Sequence, residues 1–382
     1  MRKHTFYEFF AGGGMARAGL GEEWQCLFAN DFDAKKVEAY KANWGSGEIV
    51  CGDIHKVAVS SLPSQADLAW ASFPCQDLSL AGNGAGLKGE RSGAFWGFWQ
   101  LINGLKAERR APKILVLENV TGALTSNGGS DFEELCRALH ALDYRFGALV
   151  IDAVHFVPQS RPRLFIVAVR RDVDVAGDLI DESPSDLWAT AALKRAHASL
   201  PPRLKAAWRW WRLPAPAASN TNLGDLIEGN PVDVKWHTQE ETARLVSMMS
   251  APSLGRLEVS KKSGKKAVGT IYRRTRPDDN GDRRQRAELR FDGIAGCLRT
   301  PGGGSSRQFI MVVEGECVRS RLLSGREAAR LMGLPDEFKL PEIYNETYHL
   351  LGDGLAVPTV SHLSRGLLDA ISEPANYLAA AE

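Results

Sequence analysis

Short apolar runs separated by glycine and polar turns set the rhythm of the first part of the chain. Thr5–Phe10 predicts a strand that runs into AGGGMARAGLG, a glycine-rich turn followed by helix formers. Trp24–Asn30 predicts a second strand, ending in Asp31, with a helix from about Ala34 to Asn43. Glu48–Cys51 predicts a third strand, ending at Gly52-Asp53-Ile54. Leu68–Phe73 reads as a buried fourth strand closed by Pro74, which has no amide donor and disfavours helix before it. Lys113–Leu117 is a fifth, followed by Glu118-Asn119-Val120. Asp131–Leu142 has amphipathic helical spacing, and Phe146–Ala153 and Leu164–Val169 read as strands flanking FVPQSRPR. This alternation predicts an α/β fold with a Rossmann-like sheet over residues 1–171.

After Arg171 prolines and clustered tryptophans break the rhythm, and a domain boundary is predicted near 171–174. The expected division is a catalytic and cofactor-binding domain, 1–171, completed by 345–382, and a small domain, 172–344, with a variable region at about 172–300. Trp208, Trp210 and Trp211 alternate with Arg209 and Arg212; packing of the small domain is the favoured reading of these rings, over stacking on bases. Ser324–Leu334 reads as a helix with a capping box, Ser324 and Glu327. The closing stretch GDGLAVPTVSHLSRGLLDAI reads as a loop feeding an amphipathic helix that packs back on the first domain.

Composition changes this picture little: 382 residues, 44% hydrophobic and 24% charged, suit a soluble two-domain protein. The six cysteines form no C-x-x-C pair, which argues against a zinc site or a disulfide framework and fits a reducing cytosol. The N-terminal residues lack a signal peptide's apolar segment, and no apolar run is long enough to cross a bilayer. Charge matters locally. The net value is +1, yet Arg256–Arg299 carries 13 Lys/Arg against 6 Asp/Glu, which points to a polyanion-binding face.

The candidate chemistry gathers at strand ends. The turn at Gly12-Gly13-Gly14 lets backbone approach a ligand, and Asp31 at the tip of the second strand is placed for ribose hydroxyls, with Asp53 toward a nucleoside base. The turn is neither G-x-G-x-x-G nor a P-loop, so a nucleoside ligand is expected and a dinucleotide is not. Cys75 sits on a loop at a strand end; alone it is more often a buried hydrophobe than a nucleophile. Glu118 follows an apolar strand, and Arg161 and Arg163, two apart, share a face of an extended segment. The glycine-rich LRTPGGGSSRQ, with Arg299 and Arg307, offers amides and guanidinium groups to phosphates.

Taken in order, FFAGGGMARAGL, ANDFD, GDI, FPCQDLSLAG, GERSGAFW, LENVTGAL, VPQSRPRLFIVAVR, REAARLMGLPDEF and GDGLAVP resemble the successive motifs of the DNA cytosine-5 methyltransferase family. The likeness covers about residues 5–171 and 320–370, and the interval 172–300 is where that family carries its variable target recognition region. The resemblance implies a Rossmann-like S-adenosylmethionine-dependent methyltransferase domain with a smaller target recognition domain. By the same resemblance, Cys75 adds to C6 of a flipped-out cytosine, Glu118 binds N3 and the exocyclic amine, Arg163 holds O2, and Arg161 supports the Cys75 loop and a nearby phosphate. Phe10, Gly12, Gly14, Asp31, Asp53, Ile54, Pro74 and Asp353 become cofactor contacts, Gln159, Arg299 and Arg307 DNA contacts, and Asp77–Glu90 a loop that closes over the flipped base. No metal is implied. The implied partner is double-stranded DNA, with a cognate restriction endonuclease admitted, and the implied state is a monomer in the cytoplasm, held at the nucleoid by DNA. An RNA methyltransferase of the same fold, a non-catalytic DNA-binding homologue and a nucleotide-dependent oxidoreductase are the competing readings.

Overall fold

A computed structural model describes residues 3–74, 93–218, 220–277, 282–300 and 307–373. Cys75, the 77–90 loop and the glycines of LRTPGGGSSRQ lie outside the described residues. The chain divides into two compact units, Met1–Asp152 with Pro162–Pro216 and Thr359–Glu382, and Ala153–Arg161 with Ala217–Pro358.

The first unit holds a seven-stranded sheet: β1 (His4–Phe9), β2 (Trp24–Asp31), β3 (Ile49–Cys51), β4 (Leu68–Ala71), β5 (Ile114–Val120), β6 (Tyr144–Asp152) and β7 (Pro162–Arg170). Its order is β3-β2-β1-β4-β5-β7-β6. The first five are mutually parallel, and β7 runs antiparallel to both β5 and β6. Helices α1 (Met15–Leu20), α2 (Ala34–Trp44), α3 (Ala94–Ala107) and α4 (Ser130–Ala141) connect the strands. Every residue of β4, LAWA, is buried, which is why this strand shows no alternation: a parallel strand in mid-sheet is covered on both faces. On α3, glycines replace side chains where β-branched neighbours approach, since a Cβ at Gly97 would lie 2.6 Å from Ile54 Cγ2 and one at Gly104 2.5 Å from Val59 Cγ2.

The predicted boundary near 171 is corrected to 216, and the reason is the aromatic cluster. Beyond β7 come β8 (Ile180–Asp181), α5 (Ala191–Ser199), α6 (Pro202–Ala207) and β9 (Trp210–Trp211). Trp208 belongs to the first unit's core, edge-on to Phe132 and Phe146, and Trp211 donates its indole N–H to the Val167 carbonyl at 3.0 Å. The tryptophans therefore do pack, but on the first unit's sheet. The C-terminal return is also later than 345: helices α12 (Val357–Leu363) and α13 (Asp369–Ser372) bring the chain back, and the unit resumes at Thr359.

The second unit comprises α7 (Leu223–Leu226), α8 (Gln239–Ser247), α9 (Ala251–Lys262), β10 (Ala267–Pro277), β11 (Arg283–Arg290), β12 (Phe309–Glu314), β13 (Cys317–Leu322), α10 (Gly325–Leu331) and α11 (Tyr344–Asp353). Its antiparallel sheet has the order β11-β10-β12-β13. Leu245, Met249 and Leu257 of α8–α9 cover Ile271, Ala287, Leu289, Phe309, Met311 and Val313 on one sheet face. The capping box on α10 is present, and Glu327 also forms a fully buried ion pair with Arg321 at 2.6 Å.

Gly147 of β6 is where the 208–211 segment comes closest, because a Cβ there would lie 1.8 Å from the Arg209 carbonyl oxygen. Gly147→Ala should therefore push this segment off the sheet and lower stability by about 2 kcal/mol, read from urea unfolding. An unchanged midpoint would mean the segment is not held there.

Candidate active site

The carboxyl ends of the five parallel strands form one edge, and most predicted site residues of the first unit stand along it. From β3 to β5 the edge presents Asp53, Asp31, the Phe10–Gly14 turn, Pro74 and Glu118. Between β1 and β4 the strand order reverses, which is where open α/β sheets leave a crevice for ligands.

At the cofactor side, Phe10, Gly12 and Gly14 take positive φ of 58°, 56° and 78°, so the chain coils tightly off β1. The buried Asp31 carboxylate accepts the Gly12 N–H and the Asp33 N–H, both at 2.8 Å. Burial raises its pKa, against the lowering effect of those two amides. Asn30 donates to the carbonyls of Val50 and Gly52 at 3.0 Å, tying the end of β2 to β3, and Asp53 caps the next turn by accepting the His55 N–H. Ile54 is buried beneath it. A nucleoside fits this edge. Among the described residues, nothing lies within 4 Å of where a Gly12 side chain would start, and Phe32, next to Asp31, presents a ring that is 77% exposed.

At the other side, Glu118 ends the apolar run of β5, and Arg163 opens β7 opposite Val120, so the two side chains share a sheet face as diagonal neighbours. Arg163 Nε lies 3.3 Å from Glu118 Oε1, with about a tenth of each side chain exposed (13% and 9%). Asn119 Nδ2 donates to the Phe73 carbonyl at 2.9 Å, anchoring the backbone two residues before Cys75 to the end of β5. The edge thus places an acid and a paired guanidinium one strand away from the stretch that enters the cysteine loop.

The remaining predicted residues belong to the second unit. Arg161 is buried, and it donates to the carbonyls of Leu298 (2.8 Å), Gly352 (2.7 Å) and Gly354 (2.6 Å) and to Cys297 Sγ (3.3 Å). Gln159 is fully buried, donating to the Leu331 carbonyl at 2.7 Å and accepting the Leu298 N–H at 3.1 Å. The expectations that Arg161 meets a phosphate and Gln159 meets DNA are both corrected: neither side chain has surface to offer, because several backbone groups of this unit already engage them. Asp353 accepts the Thr300 hydroxyl. Arg299 is exposed, whereas Arg307 is half-buried, bonded to Asn345 and 5.8 Å from the Tyr344 ring centroid.

Sequence reasoning missed three residues here. Phe32 stands between Asp31 and Asp33, and only its exposure sets it apart. Asn119 gave no signal beyond its place after a strand. Glu8, a carboxylate inside the apolar run of β1, was a detectable anomaly. It is buried beneath the glycine turn, with Oε1 accepting the Arg17 N–H at 3.3 Å and Oε2 without a hydrogen bond among the described residues.

A sheet of this order, with a glycine turn, a buried carboxylate and a polar cluster along one edge, is the frame of a nucleoside-binding α/β enzyme. Comparison sharpens the class. The model of the C-5 cytosine-specific DNA methylase family matches residues 4–368, and the chain belongs to that family. Type II methyltransferase M.HhaI of Haemophilus parahaemolyticus is 25% identical over 369 residues, covering 94% of this chain and 92% of that protein. Type II methyltransferase M1.ScrFI of Lactococcus lactis subsp. cremoris is 24% identical over 375 residues, 97% of this chain and 79% of its own length. The structure of a mutant of Spodoptera frugiperda DNMT2 aligns over 97% of this chain and 100% of that one with a TM-score of 0.63 at 14% identity, a likeness of fold. The protein is an S-adenosylmethionine-dependent DNA cytosine-5 methyltransferase. Among the described residues no helix is long and apolar enough to cross a membrane, and no cluster of side chains could hold a metal.

Burial pushes the Glu8 carboxyl up to about 8, against the pull of the Arg17 amide and charge and with a further push from Asp31. Between the ordinary carboxylate value and 8 the folded chain holds a proton that the unfolded chain has lost. The stabilisation linked to that proton is full below the ordinary value and fades as pH rises toward 8. Glu8→Gln keeps an acceptor for Arg17 and removes the titration. Unfolding free energies should fall by a few kcal/mol between about pH 5 and pH 8 in the unaltered protein, and much less in the variant. Parallel pH profiles would contradict this.

Proposed function

We propose that this enzyme methylates C5 of a cytosine flipped out of a specific duplex sequence, through a transient bond between Cys75 Sγ and C6. The observation that supports it best is the Glu118–Arg163 pair at the edge, with Asn119 holding the backbone that leads into Cys75. Cytosine C5 is a weak nucleophile until a group adds at C6. The Cys75 thiolate makes that bond, and the electron density withdrawn toward N3 needs a partner there. Glu118 would share a proton with N3 and accept from the exocyclic amine, while Arg163 holds O2 and keeps Glu118 oriented.

S-adenosylmethionine, when bound, supplies an electrophilic methyl group. Asp31 would accept the ribose hydroxyls, Asp53 would face the base, Phe32 would lie against its ring, and the backbone of the Phe10–Gly14 turn would line the chain that carries the sulfonium, with Ile54 and Pro74 completing the walls. Once C5 carries the new methyl, a base removes the C5 proton, and Cys75 leaves as a thiolate, restoring the aromatic ring.

Reaching the base means unstacking it, at a cost of a few kcal/mol. The second unit would supply this through DNA contacts. Register sets Arg274 of β10 opposite Arg286 of β11, with Arg284 two residues along the same strand. Arg274 pairs with Glu288 at 3.4 Å, and the guanidinium groups gathered on this ribbon would complement a phosphate backbone. Arg299 and Arg307 add to the same reading. The type II names of the relatives make a cognate restriction endonuclease part of this proposal.

Cys75→Ser should abolish methyl transfer to a cognate duplex while leaving DNA affinity within about twofold, and a 5-fluorocytosine duplex should trap the unaltered protein but not the variant. Robust transfer by the variant would sink the covalent route. For the ribbon, Arg284→Gln and Arg286→Gln should each weaken binding and reduce the slope of log affinity against log salt by about 1. Slopes equal to that of the unaltered protein would move the DNA contacts elsewhere.

A further inference from the structure

The glycine turn is gripped from outside by the last turn of α2, a feature no part of the reaction above uses. Trp44 Nε1 donates to the Gly13 carbonyl at 3.0 Å, across 31 positions of sequence. The indole is so close that a Cβ at Gly14 would lie 2.3 Å from Nε1. Arg17, on α1 just past the turn, stacks its guanidinium 5.0 Å from the Trp44 ring centroid and 5.8 Å from that of Tyr40. Arg17 also donates to the Tyr40 hydroxyl at 2.9 Å and lies 3.5 Å from Glu48. Tyr40 is fully buried, which fixes the stack to the body of the unit.

A turn with three consecutive glycines is expensive to order, because glycine loses more backbone freedom than any other residue. Where that ordering happens on ligand binding, the cost is subtracted from affinity; where the free protein has already met it, affinity rises. We propose that Trp44, backed by Arg17 and Tyr40, is a positioning residue that pre-forms the glycine turn for the cofactor. It acts by holding the Gly13 carbonyl, and with it the Gly13–Gly14 peptide plane, whose N–H closes the turn on the Ala11 carbonyl at 2.8 Å. The proposal rests on the assignment of this turn to S-adenosylmethionine.

Trp44→Phe retains a ring against Gly14 and loses the indole donor, and Tyr40→Phe loses only the hydroxyl that orients Arg17. Calorimetric titration with S-adenosylhomocysteine, thermal unfolding of the cofactor-free protein and steady-state kinetics distinguish positioning from simple structural support. Trp44→Phe should weaken S-adenosylhomocysteine binding about 3- to 10-fold, as loss of one hydrogen bond predicts, and raise KM for S-adenosylmethionine in step. kcat at saturating cofactor and DNA affinity should hold, and the unfolding temperature of the cofactor-free protein should fall by no more than the loss of one hydrogen bond accounts for. Tyr40→Phe should shift the same two quantities in the same direction by less, and it carries the test if the tryptophan variant fails to fold. Cofactor affinity unchanged in both variants, or lost only in proportion to stability, overturns the proposal. Absence of binding by the unaltered protein overturns it together with the cofactor assignment, whereas normal binding by the unaltered protein and both variants overturns it alone.

Discussion

The parallel pairing of β4 with β1 on one side and β5 on the other is the constraint on which the first unit depends. It points three strand ends the same way, so the glycine turn, the Pro74 stretch and Glu118 emerge side by side without any long-range interaction to gather them. β4 can occupy this position only because all four of its residues tolerate complete burial. The bond from Asn119 to the Phe73 carbonyl then carries the alignment past the last ladder pair and into the loop, where sheet geometry alone would no longer control it.

Much of this was legible beforehand. Apolar runs closed by glycine, proline or a carboxylate located the strands of the seven-stranded sheet to within a few residues, and the carboxylates at their ends named Asp31 and Glu118. Strand order was not legible, because hydrophobic pattern records burial and not neighbours. Nor was the place where the first unit ends. Trp208 and Trp211 announce packing in any context, and nothing local to them states that their partners are Phe132, Phe146 and the Val167 carbonyl. Gln159 and Arg161 failed for a related reason. A polar residue in a motif reads as available, whereas here both are consumed by carbonyls and an amide of segments 130 or more positions away.

Those buried polar groups show how the second unit uses charge. Arg161 and the Arg321–Glu327 pair lie where desolvation is costly, and each is compensated by several backbone carbonyls or a two-oxygen partner. Their directionality fixes loops that have little apolar surface of their own, such as the stretch around Leu298 and the turn at Gly352–Gly354. Beyond the helix-covered core, arginines on β10 and β11 stand opposite one another in register. One arginine class therefore supplies internal fasteners, and the other stands on the sheet, where Arg274 is offset by Glu288 at 3.4 Å.

The late return of the chain has a consequence for the order in which the protein can be made. Ser361 donates to the Gly19 carbonyl, and Trp24 donates to Asp369, so the segment that finishes the first unit is synthesised more than 300 residues after the helix and strand it braces. The bulk of the second unit, residues 217–358, leaves the ribosome as one uninterrupted stretch. A growing chain thus presents a nearly complete second unit while the first is still open at the edge that its last helices close.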